Sequence, residues 1–264
     1  QAATTKPREM LLPVVQAGRW GFINTDGKLV ASPRYQHAGK FAEGLAPVRI
    51  NGLWGFVNTS GRMVIQPQFD AVDLHGFSDG RLSVMREGLW TVIDISGEII
   101  LPPSAQAPLQ FRNARARFRN NGLFGFLDPE GKIAIQPKYT FAQNFSENLA
   151  AVMVEGRWIG RRAGGGRWGY IDVTGQVKVV PQFAAADSFR EGLAWVEFFH
   201  TKGGAPIANI PQDTGYIDTL GRTVLRSKDY IAGRPFHEGL AAVQFRHSGL
   251  WGYIDTAGTT IIDA

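Results

Sequence analysis

Gly18-Arg19-Trp20-Gly21-Phe22-Ile23-Asn24 decides the fold, because the pattern it opens, G-x-W-G-[FY]-[IVL]-[ND]-x-x-G, returns along the whole chain. Near-copies lie around Trp54-Gly55, Trp90-Thr91, Phe124-Gly125, Trp168-Gly169, Thr214-Gly215 and Trp251-Gly252, which makes seven units. Counted on the residue after the Trp position, the spacings are 34, 36, 34, 44, 46 and 37 residues. A period of this size marks a chain made by stacking one small supersecondary unit, each copy packing on its neighbours. Such an array is a surface for holding something, which favours binding over catalysis.

Each unit reads as three short strands. In the second they are Leu45-Ala46-Pro47-Val48-Arg49, Leu53-Trp54-Gly55-Phe56-Val57-Asn58 and Arg62-Met63-Val64-Ile65, each bounded by Gly, Asn or Pro. Asn51-Gly52 suits a tight hairpin, since both residues tolerate positive φ. Asn58-Thr59-Ser60-Gly61 fits a type I turn closed by a left-handed Gly, and Asp94, Asp128, Asp172, Asp218 and Asp255 repeat the Asn58 position. A connector follows, with Pro-x-aromatic (Pro33 to Tyr35, Pro67 to Phe69, Pro137 to Tyr139, Pro181 to Phe183) and then Phe-x-[ED]-Gly (Phe41, Phe77, Phe189 and Phe236 onward). Strand alternation places Ala46/Val48, Ala150/Val152, Ala194/Val196 and Ala241/Val243 on a core face. Trp54 and Phe56 share one side of the second strand and Val57 the other, so that strand is expected to be covered on both faces. The intervening Gly leaves room for a neighbouring backbone or ring.

The chain resembles the WG-repeat family of bacterial proteins. Trp-Gly-aromatic-aliphatic-[ND], the closing Gly, the Pro-aromatic pair and Phe-x-Glu-Gly-Leu-Ala recur in one order over residues 11–263. The resemblance implies an all-β, non-enzymatic repeat module associated with the cell envelope, and names no ligand. The departures are Thr91 for Gly, Phe124 for Trp and the missing Trp before Gly215. The expected architecture is a tail over residues 1–10 and one array over 11–264. Its seven three-stranded antiparallel units stack as an open β-solenoid or superhelix, which accommodates variable unit length; a closed seven-bladed β-propeller is the alternative.

Composition narrows the function classes. Lys and Arg number 28 against 23 Asp and Glu, a net charge of +5 without a long basic run, so nucleic acid is not an expected partner. With no Cys there are no disulfides, thiol catalysis or thiolate metal sites, and no apolar stretch approaches a membrane span. The start at Gln1-Ala2-Ala3-Thr4-Thr5 resembles a mature end left by signal-peptide removal, which points to a periplasmic or secreted protein. The five histidines (His37, His75, His200, His237, His247) lack metal-ligand spacing. The acidic series Glu43, Asp79, Glu147, Glu191 and Glu238 sits at a fixed position in a turn motif rather than as a catalytic pair. No nucleophile, base and orienting group come together, so neither an enzyme nor a cofactor is expected.

Specificity is then sought where units differ. The hairpin between first and second strands expands in two successive units, from Val154 to Gly166 and from Glu197 to Thr214. Insertions at one place in neighbouring repeats form one raised rim, which makes Trp158, Arg161, Arg162, His200 and Lys202 candidate partner-binding residues. Arg115, Arg117 and Arg119 alternate onto one face of Phe111 to Arg119, an expected exposed stripe for a carboxylate or phosphate partner. The expected partner is another protein, docked on or inhibited in the envelope. The alternative is envelope glycan, which requires Trp20, Trp54, Trp90, Trp168 and Trp251 to face solvent.

Overall fold

The computed structural model describes residues 11–104, 108–159, 162–202 and 205–263, and every regular element among them is a β-strand. The chain divides into two compact units, residues 1–111 and 112–264. All sheets are antiparallel and none closes into a barrel.

In the first unit, repeat 1 is a three-stranded sheet of Leu12–Gln16, Arg19–Ile23 and Leu29–Tyr35. Repeat 2 has four strands in the order His37–Ala38, Leu45–Ile50, Leu53–Asn58 and Met63–Phe69. Repeat 3 follows the same plan with Ala71–Val72, Arg81–Arg86, Leu89–Asp94 and Ile99–Ser104. In the second unit, repeat 4 is built on Arg115–Asn120, Leu123–Leu127 and Ile133–Tyr139, and repeat 7 on Tyr230–Gly233, Leu240–Phe245, Trp251–Asp255 and Thr260–Ile262. Repeats 5 and 6 share a seven-stranded sheet, because Val177–Ala186 pairs first with Arg167–Asp172 and then with Leu193–Lys202.

The expected three-strand meander is therefore incomplete. The Pro-x-aromatic segment is no connector: Pro67 lies inside the third strand, and the chain beyond it pairs with the first strand of the next repeat, as Ala71 with Met85 and Val72 with Val84. Proline is tolerated there because it falls in a bulge, where the ladder needs no N–H. Trp54 pairs with Phe69 but Phe56 with Ile65, so the third strand carries two extra residues opposite Gly55. A β-carbon on Gly55 would stand 2.5 Å from the Ile65 carbonyl oxygen and 2.7 Å from the Pro67 nitrogen. The Trp-Gly pair is thus a ring beside a gap that a neighbouring backbone fills. Repeat 3 shows the converse, since Trp90 pairs with Ser104 and Val92 with Leu101, one extra residue fewer. Thr91 fits under this shorter bulge and donates its hydroxyl to the Leu101 carbonyl.

The core follows the alternation. Ala46, Val48, Ala150, Val152, Ala194, Val196, Ala241 and Val243 are buried, and so are Trp54, Phe56 and Val57 on the two faces of the second strand. Asn51 and Gly52 take φ of 49° and 84°, the pair of left-handed residues that the tight hairpin requires.

Gly55→Ala is expected to cost about 1–3 kcal/mol, because the bulged backbone must move. Thr91→Ala, which removes a hydroxyl and needs no space, should cost about 1 kcal/mol. Chemical denaturation of both variants checks the order, and a costlier Thr91→Ala would contradict the bulge account.

Candidate functional site

What joins one repeat to the next is the first question, since residues used there are unavailable to a partner. The Phe of each Phe-x-[ED]-Gly turn packs on the aromatic that follows Trp-Gly in the preceding repeat. Ring centroids lie 4.9 Å apart for Phe22 and Phe41, 5.4 Å for Phe56 and Phe77, 4.7 Å for Phe126 and Phe145, 4.7 Å for Tyr170 and Phe189, and 4.8 Å for Tyr216 and Phe236. These are tilted or edge-on contacts, the geometry that ring quadrupoles favour. Where the aromatic is Tyr its hydroxyl donates to a backbone carbonyl, Tyr170 to Asp187 and Tyr216 to Arg234, both at 2.7 Å. Burial pushes both phenols up from their ordinary value.

The acids of the same turn act alongside these rings. Glu43, Asp79, Glu147, Glu191 and Glu238 all have φ near +50°, and most are followed by a left-handed Gly, with Asn148 after Glu147. Each such pair is the centre of a two-residue hairpin; in repeat 2, Ala42 and Leu45 exchange backbone hydrogen bonds across Glu43-Gly44. The carboxylates reach the next turn. Glu43 accepts from the Gly80 N–H at 2.9 Å, Glu147 from those of Glu191 and Gly192 at 2.6 and 2.9 Å, and Glu191 from those of Glu238 and Gly239 at 2.6 and 2.9 Å. The Gly239 N–H, ahead of the other donors and nearby charges, holds the Glu191 carboxyl below its usual range. The series is a ladder of clasps. Sequence reasoning placed it in turns but missed the clasping, whose signal is the fixed offset of Phe-x-[ED]-Gly from the Trp-Gly of the previous unit.

The second turn is capped by its own first residue. Asp172 accepts from the Thr174 hydroxyl at 2.6 Å, from the Thr174 and Gln176 N–H groups at 2.9 and 3.0 Å, and faces Lys178 at 3.2 Å. The Thr174 hydroxyl bond is the largest of the effects that bring its pKa down to about 2.

The arginine strand differs from the exposed stripe expected of it. Arg115 and Arg117 are half-buried. Arg115 Nε donates to the Val173 carbonyl at 2.8 Å, and Arg117 donates to the Ala142 carbonyl, so both brace repeat 4 against repeat 5. Arg117 also lies over the rings of Phe124 and Phe141, 5.4 and 5.8 Å from their centroids, filling space beside the Phe that replaces Trp in this unit. Burial lowers its pKa. Arg119 is exposed, yet its Nε caps the Gly122 carbonyl at 3.1 Å, as Arg49 caps Gly52 in repeat 2 at 3.0 Å.

The two enlarged hairpins are β-ribbons rather than loops. In repeat 5 a small hairpin pairs Arg157–Ile159 with Arg162–Gly164, and in repeat 6 the first and second strands stay paired out to Lys202 and Ala205. Both grow from the end of the first strand remote from the clasped turns. Trp158, Arg162, His200 and Lys202 lie on these strands, with side chains outside the described residues, and Arg161 lies wholly outside them. Half-buried Glu197, at the base of the second ribbon, has its pKa raised by burial.

The recurrent Trp residues make no regular platform. Trp54 and Trp168 are buried, Trp20 and Trp90 are half-buried, and Trp251 in the last repeat is 43% exposed. This removes the periodic form of glycan binding, which needs every ring in solvent. His37 is held between Trp20 and Trp54, with centroids at 5.0 and 5.3 Å, a packing role. Among the described residues no three His, Asp or Glu side chains gather as a metal site, and no helix is long and apolar enough to cross a membrane.

Comparison with known proteins agrees with this geometry. A model of the WG containing repeat matches residues 20–54, 54–90, 124–158 and 168–198, just over half of the chain. No curated protein matches the sequence. Among solved structures, a eukaryotic initiation factor superposes with a TM-score of 0.57 at 12% identity, covering 98% of this chain and 74% of that one. Kluyveromyces lactis Hsv2 gives 0.45 at 7% identity over 94% and 90% of the two chains. The dihydro-heme d1 dehydrogenase NirN gives 0.45 at 11% over 96% and 63%. The first likeness speaks for a β-propeller-like fold alone, and the two looser ones carry no argument.

Glu191→Ala is expected to speed hydrogen exchange at the Glu238 and Gly239 amides several-fold while leaving Gly192, held by Glu147, unchanged. Uniform acceleration at all three would remove the clasp. Asp172, titrated by NMR, should ionise near pH 2, and Thr174→Ala should move it up towards 3.8. Because the folded pKa is depressed, this turn's stabilisation is present above the unfolded value of 3.8 and is lost as pH falls towards about 2.

Proposed function

The chain belongs to the WG-containing repeat family, and from that premise we propose that it is a non-enzymatic protein-interaction module of the bacterial cell envelope. It docks onto, or inhibits, a secreted or envelope protein. One observation carries this reading: the side chains that the repeats share are committed to the fold, while two successive repeats extend β-ribbons from the same end of their strands. The shared aromatics form the seams, the shared acids hold turns, and Arg115 and Arg117 brace neighbouring repeats. Paired ribbons on a rigid scaffold suit recognition of a protein surface, and Trp and Arg are enriched where such contacts are strongest. Trp158, Arg161, Arg162, His200 and Lys202 are the proposed contact residues, with exposed Arg119 at the margin.

The test is to replace the outer parts of both ribbons, residues 155–166 and 199–212, with Asn-Gly turns, which keeps the pairing of Phe183 with Phe198, and to repeat partner capture from a periplasmic extract. Loss of the captured protein from a variant that melts at the parent temperature supports the reading. Capture undiminished by the replacement would falsify it.

A further inference from the structure

A cavity in the second unit lies between the third strand of repeat 4 and the sheet of repeat 5, with a volume of about 260 Å³. Val152, Val154, Ile171 and Val179 form apolar walls, and exposed Lys138 and Val177 also line it, so it reaches solvent. Two tyrosines complete the lining. The Tyr170 hydroxyl is engaged, since it donates to the Asp187 carbonyl at 2.7 Å. The Tyr139 hydroxyl is not. Tyr139 is 4% exposed, and its buried oxygen has no hydrogen-bond partner among the described residues.

The other repeats show that the fold does not demand this hydroxyl. Tyr139 pairs with Phe124 as Phe69 pairs with Trp54 and Phe183 with Trp168, and both of those Phe residues are buried without one. In repeat 1 the residue is Tyr35, whose hydroxyl accepts from Arg34 at 3.0 Å. Repeat 4 has Lys138 in the place of Arg34. Its Nζ lies over the Tyr139 ring, 5.4 Å from the centroid, and it has no acidic partner among the described residues. A buried hydroxyl without a partner is destabilising, so its presence calls for a group from outside. Burial pushes the Tyr139 phenol up from its ordinary value, which keeps it a neutral donor. A water against these aliphatic walls lacks the several polar partners that would hold it.

We propose that this cavity binds a small organic carboxylate, whose apolar body fills the space among the four aliphatic side chains and whose carboxylate accepts from the Tyr139 hydroxyl and pairs with Lys138. Volume sets the size of the body. An apolar cavity of about 150 Å³ holds benzene, so one of this volume holds roughly ten non-hydrogen atoms, the size of phenylacetate. Charge sets the head group. The phenol and the ammonium are both donors, no acidic side chain lines the cavity, and a charged acceptor makes the stronger bonds to such a pair. The site uses none of the contact residues proposed on the ribbons, so it goes beyond the docking reading and is tested apart from it.

The probe is phenylacetate, titrated into the isotope-labelled full chain and followed by NMR, with phenylacetamide as the uncharged control. Shifts are expected at Val152, Val154, Ile171 and Val179, saturating with a dissociation constant of about 1 mM or below. Tyr139→Phe keeps the ring and should weaken binding by about tenfold. It should also keep or raise the melting temperature, because the group it removes has no partner in the fold. Lys138→Gln, at an exposed position, should weaken phenylacetate severalfold and leave the amide unchanged. Absence of shifts at these four residues at about ten times that concentration overturns the proposal. So does undiminished binding by Tyr139→Phe, or binding of the amide as tight as that of the acid. A lower melting temperature for Tyr139→Phe also counts against it, since the hydroxyl would then be bonded within the fold. Any of these results leaves the ribbon reading standing, because none of its contact residues is involved.

Discussion

One contact between repeats orders the rest of the structure: the Phe of a turn laid against the aromatic ring of the repeat before it. A single three- or four-stranded meander has too little apolar surface to be stable alone, so its second strand must be covered from outside. The turn that carries the Phe reaches back through a two-residue hairpin whose second and third residues after the Phe adopt left-handed conformations, which explains Glu-Gly at that place. Once the rings meet, the acid stands beside the N–H groups of the following turn, and the clasp needs no further residue. The Trp-Gly pair answers a different need. Its Gly admits the bulged third strand that passes the chain from one repeat to the next.

Much of this was legible in the residues. The period, the all-β class, the two kinds of turn and the buried face of the first strand follow from spacing and alternation, because turn chemistry and side-chain direction are local properties. The fourth strand was not legible, since a Pro-containing stretch reads as a break until the bulge that accommodates it is seen. The arginine strand misled for a related reason. Alternation puts Arg115, Arg117 and Arg119 on one face, but whether that face meets water or the next repeat is a property of stacking, and two of the three guanidinium groups meet the next repeat. Thr91 and Phe124, departures when read singly, become compensated pairs in space: one with a shorter bulge, the other with Arg117.

The same distinction shapes the functional reading. Residues that recur are needed by every repeat for its neighbour, so recurrence marks scaffold. Function is sought in what a single repeat adds: the ribbons of repeats 5 and 6.

The central claim is that the ring contact couples adjacent repeats energetically, and a double-mutant cycle on Phe126 and Phe145, each replaced by Leu, tests it most directly. Their centroids are 4.7 Å apart and both side chains are buried. The account predicts a coupling of about 0.5–1.5 kcal/mol between the two substitutions in equilibrium unfolding. Additivity within about 0.3 kcal/mol would contradict it.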